Sequence, residues 1–340
     1  MNFAIPLKLV PHDLKINFVD KRGMAFGFSI IITIMAIGLL FFKGLNLGID
    51  FAGGLAIEVE NIGVDDARQT MDDLGYNGFS VQQQSGSGAN SMVLIRVQPK
   101  DVMHYTNDIE AIKNALTAKV RDNSEYDGKR DENASNGSIR SEVEGNIENQ
   151  NSNSIISFQR VDYVGPKVGR DFVDSSIQAL IVALLVMMAY TWFRFEWQFG
   201  VGVIIALLHD AIATLGFYSI SRYEFDLTSV AAILTIIGYS INDSVVIYDR
   251  IRENLKKHRN KKISEIINIS INETLSRTLM TVATTLLVCA ILAGFGGSSL
   301  RGFSMATFFG IAFGTYSSIY ISAPILILLH HKEARKKKSN

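Results

Sequence analysis

Six separate runs of about twenty mostly apolar residues leave this chain few ways to fold. A bilayer core about 30 Å thick is crossed by roughly 20 residues of helix at about 1.5 Å rise each. The runs fall at 24–42, 175–193, 198–220, 227–247, 278–297 and 303–329. With 48% hydrophobic residues overall, the chain is too apolar for an ordinary soluble protein of 340 residues. The expected fold class is a polytopic α-helical membrane protein of six transmembrane helices. The first run follows Lys15, Lys21 and Arg22 as a secretory signal would. It is longer than a typical signal core, and the bulky Phe41-Phe42-Lys43-Gly44 offers no small-residue cleavage site, so a retained anchor is expected.

Net charge is zero, with 33 basic and 33 acidic residues, so the whole-chain balance points to neither nucleic acid nor an acidic partner. The distribution is more informative. Short loops rich in Lys and Arg stay in the cytoplasm. Residues 1–23, the Arg194 turn, 249–277 and the tail 330–340 hold 18 of the 33 basic residues, whereas the two short loops opposite hold only Arg222 and Arg301. Both termini are therefore expected inside. Residues 43–174 fall outside, with 21 acidic and 13 basic side chains. Cys289, the only cysteine, lies in an apolar run and reads as a small core residue, which leaves no intramolecular disulfide or redox pair.

In the outer segment the pattern changes from continuous to alternating. Leu55-Ala56-Ile57-Glu58-Val59-Glu60 reads as a half-buried strand, and Ala67, Met71 and Leu74 fall at helical spacing. Strands are expected at 79–83, 92–97 and 155–164, with a second helix over 102–120. The order βαββαβ is that of an α+β ferredoxin-like periplasmic domain. Residues 122–154, rich in Asn, Ser, Glu and Asp, read as a flexible insertion. The expected organisation is a cytoplasmic N-terminus (1–23), helix 1 (24–42), the outer domain (43–174), helices 2–6 (175–329) with a cytoplasmic loop at 249–277, and a basic tail (330–340).

Ionisable groups inside spans carry the most meaning, since each costs roughly 3 kcal/mol at a helix centre unless paired or hydrated. Two carboxylates qualify, Asp210 in the third span and Asp243 in the fourth. Asp243 lies in the polar stretch Gly238-Tyr239-Ser240-Ile241-Asn242-Asp243-Ser244. At 100° per residue Tyr239, Ser240, Asp243 and Arg250 share a face, and Asn242 and Asp249 the neighbouring one. Arg277 opens the fifth span and is followed on one face by Thr281, Thr284 and Thr285. An arginine facing Asp243 would make a protonatable acid with its own counter-ion. Ser240, Thr284 and Thr285 read more simply as hydrogen-bonding glue between helices. His209 reads as packed, and Asp210, about twelve residues into its span, need not match Asp243 in depth. Gly53-Gly54 permits a backbone bend or close approach where the first strand starts, and Gly165-Pro166 and Gly169 mark a rigid turn back into the bilayer.

The stretch from Leu227 through Gly238-Tyr239-Ser240-Ile241-Asn242-Asp243-Ser244 to Asp249-Arg250-Ile251-Arg252-Glu253-Asn254 closely resembles the fourth-helix signature of SecF-type members of the SecD/SecF protein-export family. Gly48-Ile49-Asp50-Phe51-Ala52-Gly53-Gly54, the stretch from Val164-Gly165-Pro166 to Gly169-Arg170-Asp171, and Leu275-Ser276-Arg277-Thr278 agree with it. Asp171, where the family usually has Glu, and the insertion depart from the pattern. The resemblance implies one half of a resistance-nodulation-division type membrane core in a bacterial inner membrane. It further implies SecD as partner, the SecYEG translocon and YajC nearby, a translocating preprotein as cargo, and protons or Na⁺ as the coupling ion, with no cofactor. On that reading Asp243 carries the proton, Arg277 is its charge partner, and Asn242, Thr281 and Asp210 support it, while Asp50, Phe51, Gly53, Gly54, Gly165, Pro166 and Gly169 form the joint to the outer domain. A small-molecule or lipid exporter of the same superfamily would normally carry two such halves on one chain. A structural partner without its own proton conduction is the other alternative. A membrane enzyme is disfavoured, because no nucleophile and base pair, metal-ligand spacing or phosphate loop is evident.

Overall fold

The computed structural model describes residues 16–76, 79–85, 91–99, 105–135, 156–195 and 197–329. The chain divides into two units, Gly48–Phe172 and the segments before and after it.

In the unit Gly48–Phe172, read above as the outer domain, a short helix α2 (Ile49–Ala52) leads into the strand β2 (Gly54–Glu60), then α3 (Val64–Asp73), β3 (Ser80–Ser85), β4 (Ser91–Val97), α4 (Tyr105–Ser135) and β5 (Ser157–Val164). The sheet order β3-β4-β2-β5, antiparallel throughout, is the ferredoxin-like arrangement expected from the strand and helix order. Strand period 2 sorts the side chains. Leu55, Ile57 and Val59 of β2 turn inward onto Ala67 and Met71 of α3 and Ile112 and Leu116 of α4. Helix α4 runs to Ser135, so the first part of the expected insertion, 122–135, is helical: the charged sequence continues an amphipathic helix already anchored by Ile112 and Leu116. The remainder of that insertion, 136–154, lies outside the described residues.

Glu58 sits on the other face of the sheet, opposite Leu94 on one side and Arg160 on the other. Burial pushes its carboxyl above the usual value, Arg160 opposes this, and Asp162 adds to it. The folded state therefore holds its proton to higher pH than the unfolded chain, and the stability of this unit falls as pH rises from 4.5 through the raised value. Glu58→Gln is expected to slow amide exchange in β2 relative to wild type at pH 7, with little difference at pH 4.5.

The other unit holds six helices long and apolar enough to cross a membrane. They are α1 (Arg22–Phe42), α5 (Pro166–Arg194), α6 (Trp197–Ser221), α7 (Leu227–Lys257), α8 (Ile263–Phe295) and α9 (Gly297–Ser317), the last continued by a π-helical turn at Ser318–Ser322 and further helix to Leu329. More than half of the apolar stretch is buried in α6, α7 and the final helix, against under a fifth in α1, α5 and α8. Three helices thus form the centre and three the periphery.

Two short strands, β1 (Asn46–Leu47) and β6 (Glu224–Phe225), pair in parallel and join the ends of α1 and α6. Asp226 then starts α7 with a capping box: its side chain accepts from the Ser229 amide at 2.8 Å, and the Ser229 hydroxyl accepts from the Asp226 amide at 3.2 Å. Such a cap contributes about 1 kcal/mol and fixes where the helix begins.

The expected loop 249–277 is corrected by the structure, where α7 continues to Lys257 and α8 starts at Ile263. The charged sequence is the outer face of two helical extensions whose inner face is apolar, with Ile251, Ile266, Ile267 and Ile271 buried. Arg250 binds Glu273 at 2.7 Å, and the Asn254 amide donates to Ser270 and Glu273 across the pair. The chain before α1 is held to the same extension. Asn272 exchanges two hydrogen bonds with the Ile16 backbone, and Asn268 accepts from the Phe18 and Val19 amides at 3.0 Å.

Candidate functional site

Asp243 points into the three-helix centre and is only 2% exposed. It is placed there by its capped start and by the apolar stripe of α7, in which Ile236, Ile237, Ser240, Ile247 and Tyr248 face the same way. Thr315 of the last helix lies beside its carboxylate, and the Arg277 charge acts on it through space. The Oδ2 atom is buried and has no hydrogen-bond partner among the described residues, which makes it an oxygen open to accept a proton.

The structure does not bring Arg277 into contact with this acid. Arg277 is exposed on α8, and among the described residues no ion pair within 4.0 Å joins it to Asp243. Thr281 and Thr284, one and two turns on, are also exposed and donate to carbonyls of their own helix. On the neighbouring α7, Asn242 and Thr235 face outward as well. Thr285 reaches the Tyr239 hydroxyl of the next helix at 3.5 Å. The polar residues around Asp243 therefore divide, with the acid and Ser240 inward and Asn242, Arg277 and Thr281 on the outer surface of the spans.

Asp210 is the better hydrogen-bonded acid. Its Oδ2 accepts from the Ser240 hydroxyl of α7 and the Ser317 hydroxyl of α9, both at 2.7 Å, and its Oδ1 lies 3.2 Å from His209 Nδ1. Ser240 precedes Asp243 by three residues, about 4.5 Å along the axis, so the two acids are nearly level. His209 is packed, stacking on Phe313 with ring centroids 5.5 Å apart. Gly314 makes room for the cluster: a Cβ there would stand 3.3 Å from Ser240 Cβ and 3.5 Å from Asp210 Oδ2. Just beyond Ser317 the helix loosens into the π-turn, where Ser318 meets Ser244 at 3.0 Å and Ser322 meets Tyr248 at 2.6 Å. Sequence reasoning missed Ser317, Thr315 and this turn. The signal for them is the close grouping of Thr315, Ser317, Ser318 and Ser322 within a mostly apolar span.

The glycine-rich residues meet within the outer unit. Asp50 and Phe51 lie in α2, and a Cβ on Gly169 of α5 would stand 3.1 Å from the Phe51 carbonyl and 3.4 Å from that of Asp50. Gly53 (φ +71°) and Gly54 (φ +118°) adopt left-handed backbone that L side chains rarely take. A Cβ on Gly53 would stand 3.3 Å from the Val164 carbonyl and 3.4 Å from Pro166 Cα, next to Gly165.

Together these features define a polytopic membrane protein of six candidate spans with two buried acids, an exposed polar face on two of the spans and a ferredoxin-like domain. Residues 145–332 match the family model described as protein export membrane protein SecD/SecF, C-terminal, and residues 38–60 the SecD/SecF GG motif. The chain is 41% identical over 332 residues to the protein translocase subunit SecF of Rickettsia felis, covering 98% of this chain and 97% of that one. The same subunit of Rickettsia bellii is 42% identical over 334 residues, covering 97% and 99%. The crystal structure of SecDF, a translocon-associated membrane protein from Thermus thermophilus, superposes with a TM-score of 0.76 at 31% identity, covering 95% of this chain and 40% of that chain. SecDF in its super-membrane-facing form superposes with a TM-score of 0.63, again over 40% of its length. This chain belongs to the SecD/SecF family of protein-export membrane proteins, and it spans about two-fifths of the length of the SecDF chains it resembles.

Proposed function

We propose that this chain is the SecF half of an ion-driven export device in a bacterial inner membrane, with both termini cytoplasmic. It pairs with SecD and acts beside the SecYEG translocon, with YajC as a further neighbour. Proton flow through the membrane core drives changes in the posture of the outer domains, which bias a translocating preprotein outward. Asp243 loads and releases the proton. Arg277 supplies the opposing charge through space, Asp210 is a second acid at nearly the same level, and Asn242 and Thr281 belong to the partner-facing side. Asp50, Phe51, Gly53, Gly54, Gly165, Pro166 and Gly169 form the joint through which α5 carries movement to the outer domain.

The observation that carries this reading is the outward polar face. Arg277, Thr281, Thr284, Asn242 and Thr235 are exposed on two adjacent spans, one of them charged, and a charge left facing lipid costs roughly 3 kcal/mol or more near a helix centre. A second membrane half covering that face removes the penalty. The likeness to two-fifths of a longer SecDF chain favours SecD as that half.

Membrane vesicles holding this chain with SecD and the translocon test the reading, with a pH gradient and a Na⁺ gradient imposed separately. An imposed pH gradient is expected to speed completion of preprotein translocation. Stimulation by Na⁺ alone replaces the proton with Na⁺, and no response to either gradient overturns the proposal.

A further inference from the structure

We propose that His209 and Asp210 form a second proton-loading site, distinct from Asp243, whose state is read by the last helix through Ser317 and the π-turn. This rests on the proton-driven reading above and extends it to a group that reading does not use.

Three observations converge. Asp210 has no exposed side-chain surface, and among the described residues no lysine or arginine lies within ion-pair distance of it. Two hydroxyl donors nonetheless converge on its Oδ2, from Ser240 and Ser317, and His209 Nδ1 lies 3.2 Å from its Oδ1. That is the environment of an ionised carboxylate, and an ionised carboxylate buried in a membrane helix calls for a compensating positive charge. His209 is the one side chain bonded to it that can become a cation.

The imidazole geometry says where the proton goes. Because the carboxylate can only accept, Nδ1 carries the hydrogen, and the lone pair of the neutral ring lies on Nε2. Nε2 is buried and has no hydrogen-bond partner among the described residues. A proton added there turns the pair into an imidazolium–carboxylate contact that is neutral overall, and its departure from the same atom restores the starting state. No other atom changes its protons. Imidazole is the side chain whose ordinary titration falls between pH 5 and 8.

The groups facing the pair on each packed element are few. On α7 they are Ser240 and, three residues on, the titratable Asp243; on the last helix, Phe313, Gly314 and Ser317, with Tyr316 committed to Ser29 and to the Ala25 carbonyl; α1 has no charged residue between Arg22 and Lys43. Protonating His209 pulls electron density on Asp210 toward Oδ1, which weakens the Ser317 and Ser240 bonds at Oδ2. Ser317 is the residue immediately before the π-turn, and π-turns inside helices are frequent where a helix changes register at a functional site. Loading at His209 thereby acts on the last helix at its least regular point.

The test uses the full chain with SecD, carrying His209 as the only histidine: His12, His104, His258, His330 and His331 are replaced by Gln. Its ¹⁵N-histidine spectrum is expected to pass from the Nδ1-protonated neutral tautomer to the doubly protonated ring on acidification across the range in which the complex stays assembled. A ring that stays neutral across that range overturns the proposal. In vesicles, His209→Asn keeps a donor near the Nδ1 position and removes the Nε2 lone pair. It is expected to lose an inflection that wild type shows in the pH profile of gradient-stimulated export, while Ser317→Ala keeps the inflection and lowers the maximal rate. An Asn variant with an unchanged pH profile also overturns it. The two readings fail separately: wild type without any gradient response sinks the proton-driven reading, whereas a responsive wild type with a neutral His209 sinks only this one.

Discussion

Asp243→Asn is expected to reduce gradient-stimulated export to the rate measured without a gradient, while the chain still folds and copurifies with SecD. The amide has nearly the volume of the acid, so packing among Ile236, Ile237 and Tyr248 is preserved, and Thr315 keeps a polar neighbour. What disappears is the ability to take up and release a proton at the unpartnered Oδ2. Asp243→Glu separates chemistry from shape. It keeps the carboxyl but adds a methylene to a site only 2% exposed, where overpacking typically costs about 1–3 kcal/mol. Partial stimulation is therefore expected from Glu and none from Asn, measured in the same vesicles at matched protein content. An Asn variant that responds to the pH gradient like wild type shows that the proton is carried elsewhere, and it would leave this chain a structural partner of SecD.

The spans were legible because a twenty-residue apolar run has few other folded uses, and the outer domain because alternating strands and amphipathic helices occur in the order one sheet topology requires. Hydropathy failed where helices run on beyond their apolar stretches. The extensions of α7 and α8 are charged outside and apolar only on one face, so a count of Lys and Arg turned them into a loop. The site was partly legible for a related reason. The helical wheel put Ser240 and Asp243 together, and both are buried; it could not say that Asn242, 100° away, faces outward, because that depends on where α6 and the last helix pack. Nor could spacing pair Asp210 with Ser317, 107 residues distant, or reveal a π-turn, which is a matter of backbone register and leaves composition unchanged.

The glycines at the start of β2 and of α5 are expected to respond very differently to the smallest substitution, and the contrast tests whether the joint is built by close backbone approach. Gly54→Ala forces a side chain onto φ +118°, a region costing about 1–3 kcal/mol for a residue with a Cβ, and puts that atom 3.0 Å from the Val97 carbonyl, where the partner is backbone and cannot swing aside. Pairing of β2 with β4 begins at Leu55–Val97, so the damage falls on the central strand. Gly169→Ala also meets backbone, 3.1 Å from the Phe51 carbonyl, but it lies inside a helix, where Ala is better than Gly by about 1 kcal/mol. The two effects offset, and near-normal export is expected. Gly169→Val adds two methyl groups against α2 and gives up the helix advantage, so it should uncouple the joint while both units remain folded. Protease protection of the outer domain, scored alongside gradient-stimulated export, distinguishes the cases: Gly54→Ala loses both, Gly169→Val loses export alone, and Gly169→Ala loses neither. If Gly169→Val exports normally, close approach of α5 to the Asp50–Phe51 turn has no part in transmission, and the movement must reach the outer domain by another route.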